Sequence, residues 1–420
     1  MKLKLAVIAD DFTGALDTGI KFSEGGVRTK VMLSPQFSFS EIEDDVKVLV
    51  VDTETRHLKP ENAYATVYSL VKRCLDNGVE LLYKKTDSVL RGCIGSELSA
   101  VVDATGRSVE FVPALPNGSR TTENGIQYVD KVPVAESVFG ADPFEPVANS
   151  YIPDIIREET DKETIVVAKG ETVPETDSPG IVIYDASTDE DIKHIADTLK
   201  ERGRLKIMAG CSGFASCLQE MLDLPKGTPK KPRRTRNLFI ECGSINTITE
   251  KQLLYAQKKG FNRIILSDPQ KLKSDYFSSA EGASFLMWLE EECKKDAPVI
   301  LDVFTEGGTA GTANYGESIG MKKEDLRCGI AKRMGEFGEK WLGFNLDDTI
   351  VITGGDTAYA FLIQIKCTEI EPVYEIVSGA VLFNIKAGNR RLQVISKSGG
   401  LGDEDIFVNI ASKTTWSHVV

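Results

Sequence analysis

Long hydrophobic runs are missing from this 420-residue sequence. No apolar stretch approaches the roughly 18 residues that a membrane-spanning helix needs. The short apolar run at the N-terminus meets Asp10 and Asp11 at once, and it therefore has neither the core nor the cleavage site of a signal peptide. We expect a soluble, cytoplasmic protein without a membrane partner.

Histidine and paired cysteine are also scarce. The chain has three histidines and eight cysteines, and no two cysteines form a Cys-x-x-Cys pair. A zinc site of Cys and His ligands therefore has too few candidate residues, and we assign no metal-ligating residue. Scattered cysteines without a pairing pattern are typical of reduced, mostly buried thiols in a cytosolic protein.

Positive charge is short as well, with 50 Lys and Arg against 63 Asp and Glu and a formal net charge of -13. Nucleic-acid binding usually needs a basic face, so this balance argues against a nucleic-acid partner. It is compatible with a local basic pocket for an acidic small molecule. The dense basic run at residues 225–236 contains three prolines, which predicts a linker between domains, with a nuclear-localisation or nucleic-acid patch as the alternative.

Two common nucleotide-binding motifs are absent from the sequence. The chain has no Gly-x-x-x-x-Gly-Lys-Ser/Thr sequence, which excludes a Walker-type P-loop enzyme. No Gly-x-Gly-x-x-Gly follows the first predicted strand, which argues against a Rossmann dehydrogenase. A bound nucleotide must therefore be held by a different arrangement of turns.

Buried strands alternate with helical patterns in both halves of the chain, which predicts an α/β fold with mostly parallel sheets. Strands are predicted at residues 3–9, 46–51, 81–83, 109–112, 165–168, 181–184, 238–241, 264–266, 299–303, 350–353, 374–377, 381–385 and 392–395. Because the pattern restarts after the basic run, we predict an N-terminal domain at residues 1–224, a linker at 225–236 and a C-terminal domain at 237–420. We expect the active site in a cleft between the two domains, where ligand sites are common.

Three strand ends in the C-terminal half lead into short turns of small residues. The turns contain Ser244, then Gly354, Gly355, Asp356 and Thr357, and finally Gly399 and Gly400. Glycine lets a backbone approach a phosphate closely, and a helix that starts at such a turn presents N–H groups to an anion. One such turn is plain structure in most proteins, but three at strand ends predict a nucleotide site. A fourth segment, residues 306–312, is either a loop over that site or a surface loop.

Charged residues follow the first strands of the N-terminal half. We expect one of Asp10 and Asp11 to cap the next helix, which we predict to start near Ala15, and the other to orient or deprotonate a hydroxyl group. The planar guanidinium of Arg56 suits bidentate capture of a carboxylate, with a solvated surface side chain as the alternative. Residues 84–92 bring together lysines, an arginine, an aspartate and hydroxyls, which predicts a polar pocket or, alternatively, a plain polar loop.

Eight segments, in order, resemble the four-carbon acid sugar kinase family, which includes threonate, erythronate and 3-oxo-tetronate kinases. The segments are IADDFTGALDTG, DTETRH, KKTDSVLRGCIGSEL, FVPALPNGSRTTENGIQYV, VPVAESVFGADPFEPVANSYIPDII, ECGSINTIT, VITGGDTA and KSGGLG, and together they span nearly the whole chain. The sequence departs from the family pattern at Cys93, where a polar Asn is expected, and in the turn ECGSIN, which is less serine-rich than usual. Both departures bear on which acid is bound.

The resemblance implies that the N-terminal domain binds the sugar acid and that the C-terminal domain binds ATP. The implied substrate-binding residues are Asp10, Asp11, Arg56, Lys85, Thr86, Asp87 and Ser88. The implied ATP-binding residues are Ser244, Gly354, Gly355, Asp356, Thr357, Gly399 and Gly400.

The implied reaction is in-line transfer of the γ-phosphoryl group of ATP to the terminal C4 hydroxyl of the acid, with Mg²⁺ bridging the ATP phosphates. Arg56 and Lys85 are expected to hold the substrate carboxylate. Asp11 or Asp87 would orient or deprotonate the hydroxyl, and Arg91 would neutralise the transferred phosphate, so these three are the predicted catalytic residues.

Two rival functions stay open at this point. An aldolase or dehydratase acting on the same acids would use the N-terminal pocket and would need no ATP. A non-catalytic sensor would bind sugar acids or nucleotides tightly without turnover. The sequence also leaves open the stereoisomer and oxidation state of the acid, and it is compatible with a homo-oligomer.

Overall fold

The computed structural model describes residues 3–142, 145–172, 174, 178–304, 310–322 and 325–416. The chain divides into two compact units, Met1–Pro229 and Lys230–Val420, which are called the first and the second unit. Within the described ranges, no helix combines the length and the apolar character needed to cross a membrane.

The first unit contains eleven described strands and six described α-helices. The strands are β1 (Leu5–Ala9), β2 (Thr29–Met32), β3 (Val48–Asp52), β4 (Leu81–Lys85), β5 (Val109–Val112), β6 (Arg120–Glu123), β7 (Ile126–Val129), β8 (Val132–Pro133), β9 (Thr164–Val167), β10 (Ile181–Tyr184) and β11 (Ile207–Gly210). The helices are α1 (Phe12–Glu24), α2 (Pro60–Asp76), α3 (Ile94–Thr105), α4 (Ile152–Arg157), α5 (Asp189–Glu201) and α6 (Ser212–Met221).

Eight of these strands are parallel to one another, in the order β2-β3-β1-β4-β11-β5-β10-β9. Strands such as β1 and β3 are buried along their whole length, as expected for a parallel sheet covered on both faces. Helix α2 buries a single stripe at helical spacing, from Ala63 through Val67 to Cys74, so burial of its apolar face holds it in place. Strands β6, β7 and β8 form a small antiparallel sheet.

The strand order brings three chain segments to one edge of the first unit. Strand β1 lies between β3 and β4, and in register Ala9 stands beside Asp52 of β3 and Lys85 of β4. Because the carboxyl ends of parallel strands share one edge of a sheet, the residues after β1, β3 and β4 meet there.

The second unit repeats the α/β pattern with seven described strands and seven described α-helices. The strands are β12 (Asn237–Cys242), β13 (Asn262–Ile265), β14 (Val299–Asp302), β15 (Asp348–Thr353), β16 (Glu369–Val377), β17 (Ala380–Ala387) and β18 (Arg390–Lys397). The helices are α7 (Thr247–Lys258), α8 (Asp268–Leu272), α9 (Ala280–Cys293), α10 (Ala310–Ser318), α11 (Leu326–Leu342), α12 (Gly355–Gln364) and α13 (Ile406–Thr414).

Five strands of the second unit are parallel, in the order β13-β14-β12-β15-β18, and β17 and β16 continue the sheet in antiparallel fashion. The last residues of four neighbouring parallel strands are therefore aligned. They are Asp302, Cys242, Thr353 and Lys397.

The predicted α/β class with mostly parallel strands is confirmed. Strands β2 and β11 and the antiparallel sheet β6 to β8 were not predicted, because their short segments carry little hydrophobic pattern. Helix α1 begins at Phe12 rather than near Ala15, because Asp11 caps it and its first turn is already helical. The predicted cleft concerns the relation of the two units and stays a prediction.

Candidate active site

Arg56 organises the carboxylates at the sheet edge of the first unit. Its Nε donates to Asp10 Oδ2 at 2.7 Å and its Nη1 donates to Asp11 Oδ2 at 2.7 Å, while its Nη2 lies 3.8 Å from Asp87 Oδ1. Only 9% of the Arg56 side chain is exposed. Three carboxylates around one buried guanidinium form a charge-assisted network that fixes the positions of all four groups.

Asp10 and Asp11 differ in their surroundings. The Asp10 side chain is 1% exposed, and although burial would raise its pKa, Arg56 together with Lys84 and Lys85 outweighs burial and lowers it. Asp11 is 22% exposed, and burial raises its pKa against the opposing charge of Arg56. Asp11 is therefore the carboxylate of this pair that a ligand can reach.

Asp11 is the aspartate of the two that caps the helix, and the role of a carboxylate at a substrate hydroxyl stays a prediction. Its Oδ1 accepts a hydrogen bond from the backbone N–H of Gly14 at 2.8 Å, which caps α1, while Oδ2 accepts from Arg56. Asp10 lies deeper and makes no cap.

Lys85 ends β4 beside the start of α1. Its Nζ donates to the carbonyl of Thr86 at 2.8 Å, and a Cβ placed on Gly14 would lie 2.9 Å from Nζ and 2.6 Å from Asp11 Oδ1. Glycine at position 14 therefore leaves room for both the ammonium of Lys85 and the carboxylate of Asp11. The hydroxyl of Thr86 is buried without a hydrogen-bond partner in the described part of the chain, a group that fits an outside ligand.

Asp87 and Arg91 form a bidentate pair at the start of the following loop. Arg91 Nε donates to Asp87 Oδ2 at 2.9 Å and Arg91 Nη2 donates to Oδ1 at 3.0 Å. Burial would raise the pKa of Asp87, but the hydrogen bonds from Arg91 and the charge of Arg56 hold it below its usual range. The neighbouring Ser88 is anchored through its carbonyl, which accepts from Gln127 Nε2 of β7 at 3.0 Å.

A buried ion pair behind this network was missed by sequence reasoning. Lys84 Nζ lies 3.0 Å from Glu97 Oε2, both side chains are almost fully buried, and Thr55 donates to the same carboxylate. Lys84 directly follows a predicted strand and Glu97 lies in a helical pattern. Taken alone, each side chain resembles a solvated surface group. Their pairing emerges only when α3 packs against β4.

Two further carboxyl groups lie at the end of β3. Burial raises the pKa of Asp52 well above its usual range, and the adjacent Glu54 carboxylate raises it further. Glu54 accepts from the backbone N–H of Phe12 at 3.1 Å and adopts a left-handed backbone conformation with a φ of 47°. These contacts brace the first turn of α1, which carries Asp11.

Replacement of Arg56 by methionine should destabilise the fold. The change leaves the buried carboxylate of Asp10 and the partly buried carboxylate of Asp11 without their cation, and breaking a buried pair in this way costs about 3–5 kcal/mol. Denaturant unfolding measures this cost. The matched control is Arg28→Met, which removes an exposed pair with Asp45 at 3.2 Å and should change stability by about 1 kcal/mol or less. Equal losses in the two variants would contradict the central role of Arg56.

In the second unit, the three glycine-containing turns converge. They follow β12, β15 and β18 directly, and their contacts are tight. A Cβ on Gly243 would overlap Thr357 Oγ1, and a Cβ on Gly399 would lie 2.6 Å from Ser244 Oγ. Thr249 Oγ1 donates to the carbonyl of Gly399 at 2.6 Å, which joins the start of α7 to the last turn.

The predicted nucleotide residues therefore share one place in the structure. Gly354 is the N-cap of α12 with a φ of 97°, a left-handed conformation that favours glycine, and Gly355 begins the helix. Asp356 pairs with Arg327 of α11. A Cβ placed on Gly400 would lie 3.7 Å from Asn246 Nδ2. Most of the predicted loop 306–312 lies outside the described residues.

Two family models match this arrangement. The model described as a sugar-binding N-terminal domain matches residues 5–218, and the model described as a nucleotide-binding C-terminal domain matches residues 239–407. The protein thus combines a sugar-binding domain and a nucleotide-binding domain in an α/β fold.

Curated relatives cover almost the full chain. A D-threonate kinase of Salmonella typhimurium is 26% identical, over 96% of this chain and 96% of its own length. A D-threonate kinase of Bordetella bronchiseptica is 27% identical over 97% of this chain and 96% of its own length. A D-erythronate kinase of Heliobacterium modesticaldum is 24% identical over 96% of this chain and 94% of its own length. The chain belongs to the four-carbon acid sugar kinase family, so the resemblance of the eight segments is confirmed.

Solved structures share the fold. A Salmonella typhimurium LT2 protein aligns with a TM-score of 0.83 at 19% identity, covering 98% of this chain and 100% of its own. A Haemophilus influenzae protein aligns with a TM-score of 0.75 at 20% identity, covering 96% and 98%. At these identities the likeness concerns the fold alone.

Proposed function

We propose that this kinase transfers the γ-phosphoryl group of ATP to the terminal C4 hydroxyl of a four-carbon sugar acid of the threonate, erythronate or 3-oxo-tetronate kind. The observation that carries the proposal is the meeting of Asp11, Arg56 and Lys85 at one sheet edge. An acid needs cations for its carboxylate, and its hydroxyl needs a carboxylate that accepts the proton. The relatives, named as kinases of these acids, support the substrate class.

The substrate carboxylate is proposed to bind to Lys85 and to Nη2 of Arg56. In the described residues, Lys85 Nζ has a carbonyl partner but no carboxylate within ion-pair distance, and Arg56 Nη2 is 3.8 Å from Asp87, which is longer than a hydrogen bond. A bound carboxylate would accept hydrogen bonds from both of these groups. The buried hydroxyl of Thr86 and the side chain of Ser88 would then contact the hydroxyls of the acid.

Asp11, rather than Asp87, is proposed to accept the proton of the attacking hydroxyl. Asp87 forms a bidentate pair with Arg91, and its lowered pKa makes it a weak base. Asp11 has the raised pKa, which makes a carboxylate a better base near neutral pH. Asp87 then positions Arg56 and Arg91, and Arg91 offsets the charge of the transferred group.

The pH dependence of kcat/KM should report Asp11. Because the pKa of Asp11 is raised, this carboxylate becomes protonated at a pH above the usual aspartate value of about 3.9. Once protonated, it cannot accept the proton of the hydroxyl. We expect an acidic limb in kcat/KM at a pH above that range. The control variant Asp45→Asn, altered at the surface, should keep the limb. A flat profile down to the ordinary aspartate range would contradict the assignment.

The turns of the second unit are proposed to hold the nucleotide. Backbone N–H groups at Gly355, Asp356 and Thr357 would bind its phosphates at the start of α12. Among the residues described, no cluster of three or more His, Cys, Asp or Glu side chains could hold a metal ion by itself. Asp356 is the carboxylate of this turn that would hold Mg²⁺, and the ion would neutralise phosphate charge when bound.

A coupled ADP-release assay tests the proposed function. The panel contains D- and L-threonate, D- and L-erythronate, their 3-oxo forms and a sample without acid, each with Mg-ATP. We expect strong ADP release with at least one acid and little without acid. Consumption of an acid without ATP would favour an aldolase or dehydratase, and ATP binding without ADP release from any member would contradict the proposal. A homo-oligomer stays a prediction.

A further inference from the structure

A fully buried lysine ends the strand that leads into one of the three converging turns. Lys397 is the last residue of β18 and is 0% exposed, and the turn containing Gly399 follows it directly. It is aligned with Thr353, the last residue of β15, and one strand further with Cys242, the last residue of β12. The other two turns begin after those residues, so all three turns start side by side at the edge of the sheet where Lys397 ends β18.

Lys397 has a carbonyl and a ring as neighbours but no carboxylate within ion-pair distance among the described residues. Its Nζ donates to the carbonyl of Ser398 at 2.8 Å and lies 6.0 Å from the centre of the Phe407 ring. In the same row, Asp302 is already bound by two nitrogens of Arg263, at 2.6 and 2.8 Å. A buried charge without a counter-charge is costly, so a functional reason is needed to keep it there.

The titratable groups on the elements around Lys397 do not supply that counter-charge. Burial lowers the pKa of Lys397 to about 8, with Cys242 acting in the opposite direction. Burial, together with the charge of Asp302, in turn raises the pKa of the Cys242 thiol, which stays neutral. Two buried carboxyl groups lie on the neighbouring strands. Glu241 of β12 faces Gly338 of α11, and burial raises its pKa well above the usual range, while Asp348 at the other end of β15 pairs with Arg236. The other charged side chains nearby are partly or fully exposed, among them Glu250 and Lys251 on α7, Asp356 on α12, Glu375 on β16, Lys386 on β17, Lys413 on α13 and, before α13, Asp403, Glu404 and Asp405.

We propose that the ammonium of Lys397 is the counter-charge for the phosphate groups of the nucleotide held by the three turns. The inference rests on the proposed nucleotide site and adds a residue to it. Glycine-containing turns bring backbone N–H groups to an anion, and a buried cation at the same edge of the sheet strengthens that attraction in a medium of low dielectric constant. Through its bond to the Ser398 carbonyl, the same ammonium also fixes the turn that contains Gly399.

This arrangement links nucleotide binding to protonation. In the nucleotide-free protein, Lys397 is about half protonated near about pH 8, whereas bound phosphate stabilises the charged form. Binding should therefore take up roughly half a proton per site near about pH 8 and a smaller fraction near about pH 6.5.

Isothermal titration calorimetry of the full chain with Mg-ADP tests the proposal. Titrations near about pH 8 in two buffers of different ionisation enthalpy give the number of protons taken up. We expect about half a proton for the unaltered protein, none for Lys397→Met, and at least a tenfold weaker affinity in that variant. Lys413→Met is the matched control, because Lys413 also donates to a backbone carbonyl, that of Ile376 at 2.7 Å, but is exposed; it should bind as the unaltered protein does.

The outcomes separate this inference from the proposed function. If the unaltered protein binds Mg-ADP near about pH 8 without proton uptake, the inference is overturned whether or not Lys397→Met folds. Equal proton uptake in a folded Lys397→Met variant, checked by thermal unfolding, overturns it as well. Proton uptake that disappears in that variant supports it even if no acid in the panel is phosphorylated, since this titration requires neither acid nor turnover.

Discussion

Asp11→Asn should lower kcat for phosphorylation of the sugar acid by about 10²–10⁴-fold, the range typical for loss of a general base. The amide keeps the size of the side chain and can still accept from the N–H of Gly14, so α1 keeps its cap. It cannot accept the proton of the hydroxyl. The measurement is steady-state ADP release with the acid that the panel identifies, together with a thermal unfolding curve that shows an intact fold.

Two further variants make this result specific. Asp45→Asn alters an aspartate that is paired with an arginine, as Asp11 is, but is exposed, and it should leave kcat unchanged. Asp87→Asn removes the carboxylate that pairs with Arg91. It should change KM and weaken the neutralisation of the phosphate charge, but it should leave the acidic limb of kcat/KM in place. Near-normal turnover by Asp11→Asn, combined with loss of the acidic limb in Asp87→Asn, would assign the base to Asp87.

Gly243→Ala should raise the KM for ATP by about 100-fold, because small displacements of binding groups have effects of that size. The new Cβ would overlap the hydroxyl of Thr357 in the first turn of α12, so one of the two turns must move. Affinity for the substrate acid should stay nearly unchanged, because this turn belongs to the second unit. The measurement is the KM of each substrate in the ADP-release assay.

The control for this variant is Gly227→Ala in the first unit. A Cβ there meets only the carbonyl of Gly26 at 3.5 Å, an ordinary contact, and both KM values should stay as they are. If Gly243→Ala binds ATP normally, the convergence of the three turns is not what holds the nucleotide.

Much of the fold is readable from the sequence because its strands are continuous apolar runs. Val48–Asp52, Ile181–Tyr184 and Asp348–Thr353 are buried along their length, and the predicted segments coincide with them to within two residues. Ile207–Gly210 escaped prediction, since four residues that end in glycine provide too little pattern.

The location of the candidate site followed from a general rule, but its internal contacts did not. Parallel strands end at one edge, so charged residues after successive strands were expected to meet. Whether Arg56 would contact Asp10 and Asp11 depends on β1 lying between β3 and β4, a long-range pairing that sequence spacing does not encode. For the same reason the sequence suggested bidentate capture of a substrate carboxylate by Arg56, whereas two of its nitrogens already bind the protein's own carboxylates.

Buried charges were the least predictable feature. Lys84, Glu97 and Lys397 belong to residue types that are mostly exposed, and a single sequence gives no signal that these three are buried. Their burial depends on which helix covers which strand. Such residues are found only after the strands have been ordered.

The central claim, transfer of phosphate to the terminal hydroxyl of a four-carbon acid, is tested most directly by proton-coupled ³¹P NMR of the purified product. An ester at C4 is attached to a carbon with two hydrogens, so the account predicts a triplet for its phosphorus. A doublet would place the phosphate on C2 or C3. Release of inorganic phosphate without any ester would show an ATPase, and either of these last two results would contradict the account.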